Sequence, residues 1–284
     1  MKIAGVQMNV EFAAPARNLA RMAAYCRHAA RAEARLVIFP ECVVSGYCFE
    51  GPAEAAIVAQ PIPGPATDYL SRTCMDTGCY ALFGMLESDG ERLFNAAVLA
   101  GPNGIVGTYR KIHLPLLGAD RFVTYGDRPF EVHSVEDMRL GINICYDANF
   151  PEAARCLALQ GADLIALPTN WVVGPGSFCT VEHVIPARAL ENKVYYCAVN
   201  RVGSERGFKF FGRSKIVDPA GQVIVALDDD SETIIYADID VTLARAKHVV
   251  RIPGEHESHR FADRHPEQYR LLTKPHNLRP PWRQ

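Results

Sequence analysis

Residues 139–167, RLGINICYDANFPEAARCLALQGADLIAL, carry the pattern that decides the fold class. Residues 139–144 form an apolar run of strand length. Pro151 suits the first turn of a helix, residues 151–160 read as helical, and Gly161 closes them. Residues 164–167 are again a short buried strand. A strand, a helix and a second strand in close succession point to an α/β arrangement.

The alternation extends outward in both directions. Upstream, residues 2–6 read as a strand. Pro15 then opens a helix whose Leu19, Met22, Ala23, Cys26 and Ala30 share one face, and residues 36–39 make a buried strand. Residues 65–76 read as a helix stopped by Gly78. A meander follows over 80–87, 93–100 and 105–109, with Ser-Asp-Gly and Gly-Pro-Asn-Gly at its turns. Downstream, strands are expected over 130–133, 194–199, 215–217, 222–227 and 232–238, and a helix over 181–192. Helices interleaved with strands and antiparallel hairpins predict a mixed-sheet α/β domain over residues 1–250. Residues 251–284 are rich in Pro, His and Arg and lack periodicity. They are expected to be an arm on the domain or on a neighbouring subunit, a disordered tail being the plain alternative.

Composition narrows the function classes. Of 284 residues 49% are hydrophobic and 22% charged, with a formal charge of -2, so neither nucleic acid nor an anionic membrane is an expected partner. No apolar run approaches the roughly 20 residues that span a bilayer. The start, Met-Lys-Ile-Ala-Gly-Val-Gln, lacks the blocks of a signal peptide, and a cytoplasmic location is expected. The nine cysteines are an odd number without a CxxC pair, as a reducing compartment allows. Cys26 and Cys197 read as small buried apolar side chains. The absence of CxxC and HxxxH spacing leaves a zinc hydrolase without support.

Three apolar strands run into a residue of reactive type. Residues 36–40 end at Glu41, 105–110 at Lys111, and 140–144 at Cys145. Ligands of α/β proteins sit beyond the carboxyl ends of strands. A thiol between a strand end and the helix opened by Pro151, with an ammonium nearby, is expected to have a lowered pKa. Taken singly, each residue has a plainer reading: a buried structural thiol, a capping or ion-paired acid, a surface charge. His113 reads as a hydrogen-bonded structural residue rather than the base of a Cys–His dyad.

Taken in order, the segments resemble the nitrilase superfamily of carbon–nitrogen hydrolases over nearly the whole chain, in its amidase-type branch. The resemblance rests on Phe39-Pro40-Glu41 with Gly46-Tyr47, Tyr109-Arg110-Lys111-Ile112-His113-Leu114, and Cys145-Tyr146-Asp147 leading to Phe150-Pro151-Glu152. Leu167-Pro168-Thr169-Asn170-Trp171, residues 187–192, Asn200-Arg201-Val202-Gly203 and Gly212-Arg213-Ser214 extend it. It implies a four-layer α-β-β-α sandwich and a Glu41–Lys111–Cys145 triad. Glu41 would be the general base, Cys145 the nucleophile, and Lys111 with the N–H of Tyr146 the oxyanion donors. It also implies a homodimer or larger homo-oligomer and no metal or organic cofactor.

Tyr47, Asp120, Tyr146, Asn170 and Trp171 are the candidate substrate-binding residues; Phe49 and Phe178 are further candidates for a pocket wall, each equally readable as core. Two departures stand out. Asp120 occupies the place of a second glutamate that many members carry, and Asn149 replaces an arginine often found between Asp and Phe. Tyr146-Asp147 after the cysteine resembles amidases, where nitrile hydrolysers have Trp-Glu. The expected activity is hydrolysis of a small amide or N-carbamoyl compound. A nitrilase and a catalytically silent scaffold are the alternatives.

Overall fold

A computed structural model of the chain describes residues 1–283; Gln284, the end of the expected arm, lies outside them. The first unit runs from Met1 to Arg245 and a second begins at Ala246. In chain order the first unit opens with β1 (Lys2–Gln7), α1 (Pro15–Arg31), β2 (Leu36–Ile38), α2 (Pro52–Ala56) and α3 (Pro65–Thr77). The meander β3 (Tyr80–Asp89), β4 (Arg92–Gly101) and β5 (Gly104–Arg110) follows. Then come β6 (Val132–Val135), β7 (Met138–Ile142), α4 (Pro151–Leu159), β8 (Leu164–Thr169), α5 (Ile185–Asn192) and β9 (Tyr195–Asn200). A hairpin of β10 (Val202–Glu205) and β11 (Phe208–Phe211) precedes β12 (Lys215–Val217), β13 (Val223–Ala226), β14 (Thr233–Asp238) and α6 (Val241–Arg245).

Local chemistry explains the helix ends. Pro15, Pro65 and Pro151 each stand in the first turn, where the missing N–H costs nothing. Gly78 ends α3 in the left-handed region at φ +69°, which suits a residue without Cβ. On α1 the buried stripe is Leu19, Met22, Ala23, Cys26 and Ala29 with Asn18; Ala30, expected on that face, is half-exposed because Ala29 completes the turn.

Two six-stranded sheets form, ordered β14-β1-β2-β3-β4-β5 and β13-β12-β9-β8-β7-β6. Each has three parallel strands at its heart, β1–β2–β3 and β7–β8–β9, and antiparallel partners outside them. Side chains alternate between faces. Ile3, Leu36, Ile38, Leu82 and Leu99 meet Leu140, Ile142, Leu164, Ala166 and Val199 between the sheets. The opposite face of the first sheet, with Ala4, Val6, Val37, Phe83 and Val98, packs on Leu19, Met22 and Cys26 of α1 and Leu70 of α3. α4 and α5 cover the second sheet, and Gly141 of β7 lets Leu157 approach so closely that an added Cβ would sit 3.0 Å from it. The result is a four-layer α-β-β-α sandwich.

The hairpin β10–β11 and the short helices α2 and α6 were not foreseen, being too brief to show periodicity. The start of the expected 181–192 helix is a π-helical turn, Thr180–Val184. In the second unit, β15 (His248–Ile252) and β16 (His256–His259) form an antiparallel hairpin despite the absence of sequence periodicity. No helix among the described residues is long and apolar enough to cross a membrane.

Candidate active site

The strand ends that sequence singled out converge. β2 and β5 belong to the first sheet and deliver Glu41 and Lys111; β7 belongs to the second and delivers Cys145. All three are buried, Glu41 and Lys111 completely and Cys145 to 6% exposure.

Lys111 Nζ lies 2.6 Å from Glu41 Oε1 and 2.5 Å from Asp120 Oδ2. Asn95, in the middle of β4, donates through one amide nitrogen to Glu41 Oε1 at 2.7 Å and to Asp120 Oδ1 at 2.8 Å. The Tyr47 hydroxyl donates to Asp120 Oδ2 at 2.8 Å. Glu41 Oε1 is thus doubly bound, whereas Oε2 is buried with no hydrogen-bond partner in the protein. Burial first, and the Asp120 charge second, push the Glu41 carboxyl above the usual range against the pull of Lys111 and Asn95. Burial works against a charge on Lys111, but Asp120 and Glu41 outweigh it and hold the ammonium's pKa well above its ordinary value.

Cys145 opens a 3-10 turn, Cys145–Asn149, and α4 starts only at Pro151. Its φ of +47° is a strained setting for a residue with a Cβ. Asp147 holds the turn: Oδ2 accepts from Tyr109 Oη at 2.8 Å and Ile144 N–H at 2.9 Å, and Oδ1 accepts from His113 N–H at 3.1 Å. The His113 ring lies 2.6 Å from Asp147 Oδ1 through Nδ1 and stacks on Phe150 at 3.7 Å between centroids. His113 is therefore a structural residue.

The expected lowering of the Cys145 pKa is corrected. Burial, then the Glu41 carboxylate, push the thiol up to about 12. Lys111 pulls the other way, as do the Thr169 hydroxyl and the Asn170 backbone N–H. The intervening 3-10 turn keeps the helix terminus away from the thiol, so the expected dipole gain does not decide. A thiol held this far up needs a base at the moment of attack.

Cys145 opens on a cavity of about 210 Å³ lined by Tyr146, Asn149, Asn170, Trp171 and Thr180, among others. Asn170 is fully buried, yet neither Oδ1 nor Nδ2 has a partner within the protein. The Trp171 backbone is fixed by its main-chain N–H, which donates to Asn200 Oδ1 at 2.9 Å. Tyr47 and Asp120 were expected to touch substrate. The structure places both fully buried and bonded to each other, Asp120 also holding Lys111, and neither lines the cavity. Phe49 is a core residue, and Phe178 packs edge-on against Phe211 beneath Arg213. Asn95 was missed; its one signal is an amide inside an otherwise apolar strand. A larger groove of about 560 Å³ between α1 and β14, lined by Arg21, Tyr25, His28, Thr233 and Tyr236 among others, has no cysteine or carboxylate in its lining. Among the described residues no group of three or more His, Cys, Asp and Glu side chains is placed to hold a metal ion.

The sequence model of the family described as "Carbon-nitrogen hydrolase" matches residues 2–248. A nitrilase from Pyrococcus abyssi is 41% identical over 250 residues, covering 88% of this chain and 93% of that protein. An omega-amidase from Xenopus tropicalis is 33% identical over 237 residues, covering 79% and 83%. Among solved structures, a double mutant of the amidase from Nesterenkonia sp. AN1 in complex with acrylamide superposes with a TM-score of 0.79. It is 26% identical, with 96% of this chain and 97% of that chain covered.

Proposed function

Since the chain belongs to the carbon–nitrogen hydrolase family of the nitrilase superfamily, we propose that it hydrolyses a small carboxamide through a thioester on Cys145, releasing ammonia. The observation that carries this reading is the division of labour on Glu41. One carboxylate oxygen is bound by Lys111 and Asn95, and the other is buried without a partner. A buried carboxylate oxygen left without a partner in the protein is costly and has a use as a proton acceptor.

The steps follow from the residues. Glu41 Oε2 takes the thiol proton as sulfur attacks the amide carbon. The developing oxyanion is met by the Lys111 ammonium and the Tyr146 N–H, each such donor being worth on the order of 3 kcal/mol. Asn170, with a free donor and a free acceptor, binds the substrate amide, and Trp171 and Tyr146 flank it. Glu41 passes its proton to the leaving nitrogen, which departs as ammonia. Water, deprotonated by the same carboxylate, then attacks the thioester carbon; the C–S bond breaks, the acid is freed, and Glu41 returns the proton to the Cys145 sulfur. Assembly into a homodimer or larger oligomer belongs to the same reading, and sedimentation velocity tests it.

Tyr146-Asp147 after the nucleophile and the amidase among the structural relatives favour an amide over a nitrile or an N-carbamoyl compound. The 41% identity to a protein named nitrilase favours nitriles as the second reading. Ammonia release is measured across small amides, nitriles and N-carbamoyl compounds, with Cys145→Ser alongside. Amides cleaved by the wild type and not by the variant are expected. Full activity in Cys145→Ser rules the mechanism out.

A further inference from the structure

We infer that the Cys145 cavity selects short, uncharged amides and rejects amides whose far end carries a carboxylate, with Asn149 at the rim as the specificity-determining residue. This deepens the proposed function and rests on Cys145 being the nucleophile.

Charge is the first argument. The walls offer neutral groups: Pro115, Leu117, Trp171 and Val172 are apolar, and Asn149 and Thr180 are polar without charge. The arginines and lysine on the bordering elements are committed elsewhere. Arg188 donates from Nε to Ala148 O at 3.0 Å and from Nη2 to Asn149 O at 3.3 Å, and its Nη1 pairs with Glu191 at 3.1 Å. Arg213 lies over the Phe178 ring and pairs with Glu182 at 3.2 Å, and Lys215 bonds Val181 O and Glu182. Arg121 donates to the Gly118 and Phe49 carbonyls at 3.0 and 2.7 Å.

The Lys111 ammonium is no free counter-charge either. It does not line the cavity and is shared between the Glu41 and Asp120 carboxylates. A substrate carboxylate entering this low-dielectric space loses hydration without gaining a counter-charge.

Position is the second argument. Asn149 is exposed, lines the cavity, and holds Thr180 Oγ1 through its Oδ1 at 3.3 Å. It is anchored from below by Arg188 on its carbonyl, so a longer side chain grafted there projects from a fixed base. Size is the third. About 210 Å³ lies below the roughly 300–1,000 Å³ of drug-sized sites, which fits a chain of a few carbons.

The test compares butanamide, butanediamide and 4-amino-4-oxobutanoate by ammonia release. The last two match in heavy atoms and differ in one charge, which separates size from electrostatics. For the wild type, kcat/KM for the carboxylate is expected to be at least tenfold below that for butanediamide. In Asn149→Arg the ratio is expected to shift toward the carboxylate by tenfold or more. Equal or faster cleavage of the carboxylate by the wild type overturns the inference and leaves the amidase reading standing. No ammonia from any of the three, with Cys145 unlabelled by iodoacetamide, overturns both.

Discussion

Lys111 reaches Asp120 at 2.5 Å and Glu41 at 2.6 Å from a single ammonium nitrogen, with all three side chains out of reach of solvent. Asp120 is therefore coupled to the site through Lys111. Asp120→Asn keeps the shape and removes the charge, leaving Lys111 with one counter-ion. A buried charge that loses part of its pairing costs about 1–3 kcal/mol. The expected outcome is a Tm lower by several degrees and a kcat at least tenfold lower. Differential scanning calorimetry and ammonia release measure these, and an unchanged kcat counts against the positioning role. Asp120→Glu adds a methylene to a filled site and is expected to destabilise by about 1–3 kcal/mol.

The Cys145 thiol is held up to about 12 by burial and by Glu41. The ultraviolet thiolate signal, taken as wild type minus Cys145→Ser, is therefore expected to be absent at pH 7 and to stay absent through pH 9. A thiolate difference at neutral pH contradicts the site's electrostatics.

Glu41 must be ionised to act as base, and its pKa is raised by burial. The acid limb of kcat/KM is expected to fall as pH drops through a midpoint above the ordinary carboxylate value of about 4.3. Glu41→Gln is expected to lower kcat roughly 100- to 10,000-fold, the usual worth of a general base. An acid limb unchanged in Glu41→Gln assigns that titration elsewhere.

Much of this was legible because its signals are local. Pro15, Pro65 and Pro151 mark helix starts, Gly78 marks an end, and Glu41, Lys111 and Cys145 announce themselves by following apolar strands. The environment of Cys145 was misjudged for a non-local reason. Its depth, and the carboxylate brought from β2 on the other sheet, set the direction of the pKa, and neither is written near residue 145. Motif order likewise shows that Tyr47 and Asp120 lie near the site without showing that they bond each other and Lys111. The buried pair of Arg201 and Glu205 has the same character. Glu205 Oε2 lies 2.6 Å from Arg201, and Oε1 accepts the Tyr47 N–H at 2.8 Å, a link of 158 residues that spacing cannot reveal.

Asn95 joins the two carboxylates with one donor nitrogen, so its loss should move both. Asn95→Leu keeps the volume and leaves Glu41 Oε1 and Asp120 Oδ1 each short of a donor, at about 1–3 kcal/mol for an unsatisfied buried group. The base then drifts in orientation while the cavity walls stay in place. The expected result is a kcat lower by ten- to a hundredfold with KM changed by less than about threefold. A variant altered in KM alone points to substrate contact instead of positioning.

Gly84 ties the fold to the chemistry most directly. It lies on β3 beneath the turn that carries the base, and an added Cβ would stand 2.3 Å from the Cys42 nitrogen and 2.7 Å from Glu41 Cα. Both neighbours are backbone, so no rotamer change relieves the clash, and Cys42 is already in the left-handed region at φ +46°. Gly84→Ala must displace the Glu41 turn or push β3 out of register with β4. Overpacking of this kind costs typically about 1–3 kcal/mol, and a rigid backbone neighbour places it at the upper end. The expected outcome is a clear fall in Tm together with a loss of ammonia release larger than the stability change explains at a temperature where the variant is folded. Gly51→Ala is the comparison, since its Cβ would meet nothing within 4 Å and its φ of -168° is extended; a change within about 0.5 kcal/mol is expected there. If Gly84→Ala matches Gly51→Ala in both stability and rate, Glu41 is not held by the close approach of β3.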